Sequence, residues 1–347
     1  MRVRFFIVLF ALSLIAAPAM VFANTSAMAA TQSVGVSAVP LPSTPVTHYT
    51  FELITKSNAS PYWLAVKQGA DAAAKAYGVT VNFEAPSSGT DLASQIAMVN
   101  NAVTAKVNGI VLAAQNPSAL LDPVRSAMKA GIPVVTVDSG LSPDISDSFL
   151  ATSNIAAASA LAKYTADNLM GQNGQYAIID FNHTASTGIQ RPQGFEQGMK
   201  AFPNVTMDGV VQYSNNDVAT GISEADNMMT SYPNLKVIFG ANDRSALGPA
   251  EAIANANSKV RIVGFDADLG ELKYVKSGVI EASILQSPYN MGYYGVVELI
   301  DLLQGTSVPH RVNTGFFLLT PKDLSTAQAT AAIKQYAPTY KGPQSLG

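Results

Sequence analysis

The sequence contains no cysteine and few charged residues. Without cysteine the chain can carry neither a disulfide nor the acylated cysteine of a lipoprotein, so its stability must come from an ordinary hydrophobic core. Only 13% of its 347 residues are charged and the formal net charge is -3, which argues against the basic surface of a nucleic-acid-binding protein. At this length a single core stops growing, so two domains are expected.

Motifs of the common catalytic sites are missing as well. The three histidines, His48, His183 and His310, lie far apart in the sequence. There is no H-E-x-x-H metal motif, G-x-S-x-G nucleophile elbow, Walker A loop or G-x-G-x-x-G turn. Carboxylate pairs have no fixed spacing, so acid–base catalysis by Asp138 with Asp266 stays open as an alternative. We therefore expect a protein that is not an enzyme, with no cofactor and no metal site.

The N-terminus has the pattern of an export signal. A basic start, Met1-Arg2-Val3-Arg4, precedes an apolar run over 5–16 that is short for a membrane span of about 20 residues. Small residues follow, with cleavage expected after Ala23 or Ala29, and residues 1–29 are assigned to a signal peptide. Residues 30–48 are rich in Ser, Thr, Val and Pro and are predicted to be a flexible leader. The mature protein is expected in the periplasm of a two-membrane bacterium.

From Tyr49 onwards, short apolar strands alternate with helical segments. This order is typical of βαβ units, in which helices cover both faces of a parallel sheet. The pattern pauses in a polar loop over 139–148 and restarts near Thr152, so the chain divides into two runs of βα units. A last strand is predicted near 312–319, followed by a polar tail. The predicted fold class is therefore α/β, with a parallel sheet in each half.

Four predicted strands end in a carboxylate or an amide. These strand-end residues are Asp138, Asn242, Asp266 and Gln286. In an open α/β sheet, ligands bind just outside the carboxyl ends of the strands. We therefore expect the four side chains to converge on one polar ligand in a cleft.

These residue types suit a sugar, which offers pairs of hydroxyl groups and apolar C–H faces. Arg191 follows a strand and a polar loop at the start of a helix, and its guanidinium fork can span two ligand oxygens. Tyr62 and Trp63 lie in the first turn of the first helix and Phe265 ends a strand, so flat rings are available. Each has an ordinary structural interpretation too: the acids and amides as caps or turn residues, the rings as core, and Arg191 as a solvated residue.

Several stretches, in this order and with compatible spacing, resemble the periplasmic ribose-binding protein group. They are Ser60-Pro61-Tyr62-Trp63, Gly131-Ile132-Pro133 through Val137-Asp138, Arg191-x-x-Gly194-Phe195, Gly240-Ala241-Asn242-Asp243, Val263-Gly264-Phe265-Asp266 and Ile284-Leu285-Gln286. The group comprises pentose and hexose receptors of ABC importers, and the resemblance covers the chain from about Tyr49 to about Leu319.

The resemblance implies the type I periplasmic binding protein fold. In that fold two similar α/β lobes are joined by a three-stranded hinge, expected here near Thr152, Gln286-Ser287 and Gly315. Lobe one would comprise 49–152 plus 287–315, and lobe two 153–286 plus 316–325. Residues 326–347 would form a C-terminal tail.

The resemblance also assigns roles to residues. The positions that grip the ligand fall on Asp138, Arg191, Asn242, Asp266 and Gln286, with Tyr62 and Trp63 as stacking rings and Phe265 nearby. Three positions depart from ribose receptors: Ser139 replaces an arginine, Ser60 an asparagine, and Asn216 (or a neighbour such as Tyr213) an aromatic residue of lobe two. Because one cation and one ring are lost, we expect a sugar other than ribose, or a polyol.

The implied function is that of a monomeric periplasmic solute receptor. Its ligand would close the lobes by a hinge motion, and the closed form would dock on an inner-membrane ABC permease. Two alternatives stay open, a sugar-sensing receptor for a membrane kinase or chemoreceptor and a carbohydrate-acting enzyme.

Overall fold

The computed structural model describes residues 33–34, 48–58 and 60–346 of the chain, so the predicted signal peptide and most of the predicted leader lie outside the described residues. The strands, in chain order, are β1 (Ser33–Val34), β2 (Thr50–Ile54), β3 (Thr80–Glu84), β4 (Gly109–Leu112), β5 (Val134–Val137), β6 (Ser148–Ala151), β7 (Asn173–Asp180), β8 (Asn204–Met207), β9 (Gln212–Tyr213), β10 (Leu235–Gly240), β11 (Arg261–Phe265), β12 (Ile280–Leu285), β13 (Arg311–Asn313) and β14 (Phe316–Leu319). The helices are α1 (Pro61–Tyr77), α2 (Leu92–Ala105), α3 (Leu121–Lys129), α4 (Asn154–Thr165), α5 (Ser186–Met199), α6 (Val218–Ser231), α7 (Asp243–Ala256), α8 (Leu269–Ser277), α9 (Pro288–Leu303) and α10 (Ala327–Ile333). A π-helical turn, Ala166–Met170, extends α4.

The strands form two separate sheets. A six-stranded sheet has the order β13-β6-β5-β4-β2-β3, and all of its pairs are parallel. An eight-stranded sheet has the order β1-β14-β12-β11-β10-β7-β8, with β9 beside β7, and it is parallel except at β14. The inner strands, such as β4 and β5, are buried throughout because helices cover both faces. We call the six-stranded sheet with its helices lobe one and the eight-stranded sheet with its helices lobe two.

The chain passes between the lobes three times. It leaves lobe one after β6, returns to it after β12 as α9, and crosses again between β13 and β14. The last crossing corrects the single strand predicted over 312–319: Gly315 has a φ of 73°, and the residues on either side of it belong to different sheets. The predicted fold class, two parallel-sheet α/β lobes joined by three crossings, is confirmed. The residue boundaries of the lobes stay a prediction.

Helices α1 and α9 pack closely on one face of the sheet in lobe one. A Cβ atom at Gly69 would lie 1.9 Å from the Tyr289 carbonyl oxygen, and one at Gly292 would lie 1.8 Å from the Val66 carbonyl oxygen. Only glycine allows the two backbones to approach so closely. Ser60 caps α1 by accepting a hydrogen bond from the amide of Tyr62, at 3.2 Å. This packing fixes the first turn of α1 at the carboxyl edge of the sheet.

The two terminal predictions need correction where the structure describes them. Ser33 and Val34, assigned to the flexible leader, pair with β14 as an antiparallel edge strand. The part of the predicted polar tail that the structure describes, residues 326–346, is folded: it contains α10 and buries Tyr336, Tyr340 and Leu346. The polar composition of this segment predicted a tail without regular structure. Its large apolar groups at these three positions are buried in the folded protein, and this burial stabilises the segment.

Across the described ranges, no helix has both the length and the apolar character needed to cross a bilayer.

Candidate ligand-binding cleft

The carboxyl ends of the two sheets face each other across a cleft. It encloses about 520 Å³ of space outside protein atoms, part of it open to solvent. Nine of the eleven predicted site residues line it: Ser60, Tyr62, Trp63, Asp138, Arg191, Asn216, Asn242, Asp266 and Gln286. The structure thus brings together residues that lie far apart in sequence, while their role in binding stays a prediction.

The other two predicted residues, Phe265 and Ser139, are buried behind the cleft. Phe265 is fully buried on the face of β11 that carries Val263, within the core of lobe two. Because side chains alternate along a strand, Phe265 points into that core rather than into the cleft. Its ring instead supports Arg191, whose guanidinium carbon lies 4.4 Å from the ring centroid. Ser139 is also fully buried and donates a hydrogen bond to Asp138, at 2.7 Å.

Asp138 and Asp266 occupy equivalent places in the two lobes. Each follows the last residue of a strand, and each backbone amide extends the ladder by donating to the next strand, Asp138 to Leu150 and Asp266 to Ile284. Their φ angles are 59° and 78°, in the left-handed region that Asp enters more readily than most residues. The two acids are therefore turn residues, as the ordinary interpretation held, and they also line the cleft.

The carboxylate of Asp138 is held ionised by neighbouring cations. Lys56 Nζ lies 2.9 Å from Oδ2, Tyr62 donates to Oδ1 at 3.0 Å, and Arg191 Nη2 lies 3.8 Å from Oδ1. Burial alone would raise the pKa of Asp138, but the charges of Lys56 and Arg191 outweigh it and hold this pKa below its ordinary value. Asp138 is thus a buried acceptor that keeps its charge at neutral pH.

Lys56 is a cleft residue that the sequence analysis missed. It follows β2 at the same edge of lobe one, and its ammonium also contacts Ser139 Oγ at 2.6 Å and Thr187 Oγ1 at 3.2 Å. Trp63 and Phe181 lie beside it, with ring centroids 5.3 and 5.6 Å from Nζ. Burial lowers the pKa of Lys56, and the charge of Asp138 opposes that shift. The expected loss of a cation next to Ser139 is therefore wrong, since Lys56 supplies one there.

Arg191 is fixed by three other contacts on lobe two. Its Nε donates to Asn154 Oδ1 at 2.8 Å, and its Nη1 donates to the carbonyl oxygen of Ala241 at 2.9 Å. The side chain is only 3% exposed, which excludes the solvated interpretation. With Phe265 beneath it, the guanidinium is held rigidly at the wall of the cleft.

Asp266 sits in a less favourable environment for its charge than Asp138. Gln286 Nε2 donates to its Oδ1 at 2.8 Å, and the hydroxyl of Tyr336 donates to the same oxygen at 3.1 Å. Burial raises the pKa of Asp266 to about 7, and the nearby Arg191 guanidinium opposes the shift. The two acids of the cleft therefore differ in charge near neutral pH, although they occupy equivalent places.

Two hydrogen-bonded amides, Asn216 and Asn242, line another part of the cleft wall. Asn242 caps α7 by accepting from the amide of Ser245 at 3.0 Å, and its Nδ2 donates to Asn216 Oδ1 at 2.7 Å. The same Nδ2 donates to Asp243, at 2.9 Å. Asn242 is thus a helix cap, as the ordinary interpretation predicted, and its amide also faces the cleft.

Hydrogen bonds between the lobes close the cleft. Ser60 of lobe one donates to Asp243 of lobe two at 2.8 Å. Lys56 and Ser139 of lobe one both contact the hydroxyl of Thr187 on lobe two, each at 3.2 Å. Together with the contact between Arg191 and Asp138, these bonds join the lobes around one shared pocket. The two lobes are therefore in direct contact around the pocket.

Comparison with known proteins identifies the family. The periplasmic binding protein domain matches residues 51–307. The D-allose-binding periplasmic protein of Escherichia coli (strain K12) is 30% identical over 261 residues, which cover 72% of this chain and 83% of that protein. The chain belongs to the periplasmic binding protein family.

Solved structures carry the same fold. An ABC transporter solute-binding protein from Agrobacterium vitis with bound D-fucose has a TM-score of 0.78 and 34% identity, covering 81% of this chain and 98% of that one. A carbohydrate transporter solute-binding protein from Agrobacterium radiobacter in complex with D-arabinose has a TM-score of 0.80 and 31% identity, covering 82% and 99% of the two chains. The expected type I fold, and a binding protein rather than an enzyme, are confirmed by these relatives.

Proposed function

We propose that the chain is a periplasmic receptor that binds a monosaccharide or polyol between its lobes and delivers it to an ABC permease. The observation that carries this proposal is the placement of paired hydrogen-bonding groups from both lobes around one pocket. Asp138 comes from lobe one, Arg191, Asn242 and Asp266 come from lobe two, and Gln286 stands at a crossing. Planar carboxylate, amide and guanidinium groups match the paired hydroxyls of a sugar, and Trp63 offers a ring for its C–H face.

Hinge closure follows from groups on both lobes sharing one ligand. A ligand that touches both lobes stabilises the closed state relative to the open one, and the two need differ by only a few kcal/mol. Micromolar affinity corresponds to about -8 kcal/mol. Several hydrogen bonds to charged groups, at about 1.5–3 kcal/mol each, supply this even after the cost of ordering.

The sugars named for the relatives define the first ligands to test. They are D-allose, D-fucose and D-arabinose. The ion pair of Lys56 with Asp138 removes the missing cation as a reason to expect a sugar other than ribose, so that expectation now depends on the replaced ring at Asn216 alone. Export through residues 1–29, a monomeric state and the absence of a nucleic-acid partner belong to the same proposal.

Calorimetric titration with these sugars and a panel of polyols tests the proposal. We expect wild-type protein to bind at least one of them with micromolar or better affinity. The Arg191→Ala variant should bind the same compound at least about tenfold more weakly, since a guanidinium at the pocket wall is lost. Arg125→Ala, which removes an exposed arginine paired with Asp122 on α3, is the matched control. Equal affinity in Arg191→Ala and Arg125→Ala would contradict the assignment of the cleft.

A further inference from the structure

The folded C-terminal segment, residues 320–346, reaches the cleft from outside the two βα runs. It begins with a capping box between Thr320 and Asp323 and packs against β14 and α8 of lobe two. Tyr340 anchors it: the side chain is 1% exposed, and its hydroxyl donates to the carbonyl oxygen of Leu324 at 3.1 Å. The segment is therefore a fixed part of lobe two and can hold other groups in place.

Tyr336 of this segment contacts the site directly behind the cleft wall. Its hydroxyl donates to Asp266 Oδ1 at 3.1 Å and accepts a hydrogen bond from the backbone amide of Gln286. Its ring centroid lies 6.0 Å from that of Tyr62, which lines the cleft from lobe one. The hydroxyl of Tyr336 is thus hydrogen-bonded both to the Asp266 carboxylate of the cleft and to Gln286, where the chain crosses between the lobes.

The neighbouring residue contacts the next element of the crossing. Gln335 Oε1 accepts a hydrogen bond from the amide of Asn290, at 3.3 Å, in the first turn of α9. Helix α9 packs on the sheet of lobe one, so the segment touches both ends of the crossing that contains Gln286. These contacts fix Gln286, whose own side chain donates to Asp266 at 2.8 Å.

We propose that Tyr336 is a positioning residue of the ligand site, which orients the Asp266 carboxylate and the Gln286 crossing for binding. Both hydrogen bonds that Asp266 receives from Tyr336 and Gln286 end on Oδ1, and Oδ2 accepts none from the described residues. The carboxylate is thereby held with one oxygen available to a ligand hydroxyl. This inference deepens the proposed function and rests on it.

The hydroxyl of Tyr336 also affects the charge of Asp266. A donor to a carboxylate stabilises the ionised form, so its removal should raise the pKa of Asp266, which burial already places at about 7. The other titratable or charged groups that act on Asp266 or feel its charge are Arg191, Asp243, Asp138, Lys56, Tyr62 and Glu271. All of them are retained when Tyr336 is replaced by phenylalanine.

The test compares Tyr336→Phe with Tyr340→Phe in the full chain. Both substitutions remove one buried hydroxyl from the same segment, but only Tyr336 contacts Asp266. Affinity for the sugar that wild-type protein binds most tightly among D-allose, D-fucose and D-arabinose is measured from about pH 5 to about pH 9. Because the ionised carboxylate is the better acceptor, affinity of the wild type should rise as pH increases through the pKa of Asp266. Tyr336→Phe should bind about tenfold more weakly at neutral pH, with the midpoint of this rise at least about half a pH unit higher.

The outcomes separate the two proposals. Equal affinity and midpoint in Tyr336→Phe and Tyr340→Phe, with normal binding by the wild type, would overturn the role of Tyr336 and leave the proposed function intact. Failure of the wild type to bind any of these sugars, any other monosaccharide or any compound of the polyol panel would overturn the proposed function. In that case a carbon-13 NMR titration of the Asp266 carboxyl decides the positioning role, because it needs no sugar. A pKa of Asp266 that is higher in Tyr336→Phe than in Tyr340→Phe supports the role, and equal values refute it.

Discussion

Replacing Lys56 by methionine removes the nearest cation from a buried carboxylate while keeping most of the side-chain volume. Lys56 is 8% exposed, and its Nζ lies 2.9 Å from Asp138 Oδ2. The variant leaves Asp138 with Arg191 at 3.8 Å and with neutral hydroxyl donors. Removing one partner of a buried ion pair typically costs about 3–5 kcal/mol, because the other charge stays buried. We expect Lys56→Met to lower the free energy of unfolding by about 3 kcal/mol at neutral pH.

An exposed ion pair of lobe one provides the matched control. Lys67 pairs with Asp71 four residues later on α1, and the two side chains are 37% and 46% exposed. Such surface pairs contribute only about 0.3–0.5 kcal/mol, so Lys67→Met should stay close to wild type. Guanidinium unfolding is followed by circular dichroism and by the fluorescence of Trp63, the only tryptophan in the sequence.

The pH dependence of this effect has a defined sign. The pKa of Asp138 is lowered in the folded protein, so its contribution to stability is present at neutral pH and is lost as pH falls through that pKa. Without Lys56 the pKa of Asp138 rises, so acidification lowers the free energy of unfolding of the variant by less than that of the wild type. The difference between wild type and Lys56→Met should therefore narrow below about pH 4. Equal stability of Lys56→Met and Lys67→Met at neutral pH would refute this account of the ion pair.

Two further perturbations act on lobe one, away from the cleft. Gly292→Ala places a Cβ atom 1.8 Å from the carbonyl oxygen of Val66, so helices α1 and α9 must move apart. The free energy of unfolding should fall by at least about 2 kcal/mol. An unchanged free energy of unfolding would contradict the close packing of the two helices. Glu298→Gln tests a buried acid on α9: burial raises the pKa of Glu298 from 4.5 to about 7. The unfolded chain ionises Glu298 first as pH rises from about 4.5 to about 7, so the free energy of unfolding of the wild type should fall over that range by about 3 kcal/mol more than that of the glutamine variant, and equal falls would contradict this assignment.

Much of the fold can be predicted because its strands leave patterns within short stretches of the sequence. Strands buried on both faces read as short apolar runs, and each ends where a polar residue such as Asp138 or Asp266 begins. Parallel strands bring their carboxyl ends to one edge of a sheet, which is why strand-end residues far apart in sequence line one cleft, while their role in binding stays a prediction. The assignment of Phe265 to the cleft was wrong because strand alternation turns it into the core of lobe two.

The residues that sequence reasoning missed owe their positions to tertiary contacts. Lysine is rarely buried, so the only sign that Lys56 lies in the cleft is its place two residues after the first strand of lobe one. Tyr336 lies 70 residues from Asp266, the carboxylate that it contacts. The α-helix of its segment, α10, has only seven residues and therefore gives a weak periodic pattern. The spacing of Tyr336, Tyr340 and Leu346 was the available signal that this segment is folded.

A crystal structure of the protein with its preferred sugar tests the shared site most directly. We expect one sugar molecule between the sheets, with hydroxyl groups within hydrogen-bond distance of Asp138 on lobe one and of Arg191 and Asp266 on lobe two. A sugar that contacts one lobe alone, or that lies outside this cleft, would contradict it.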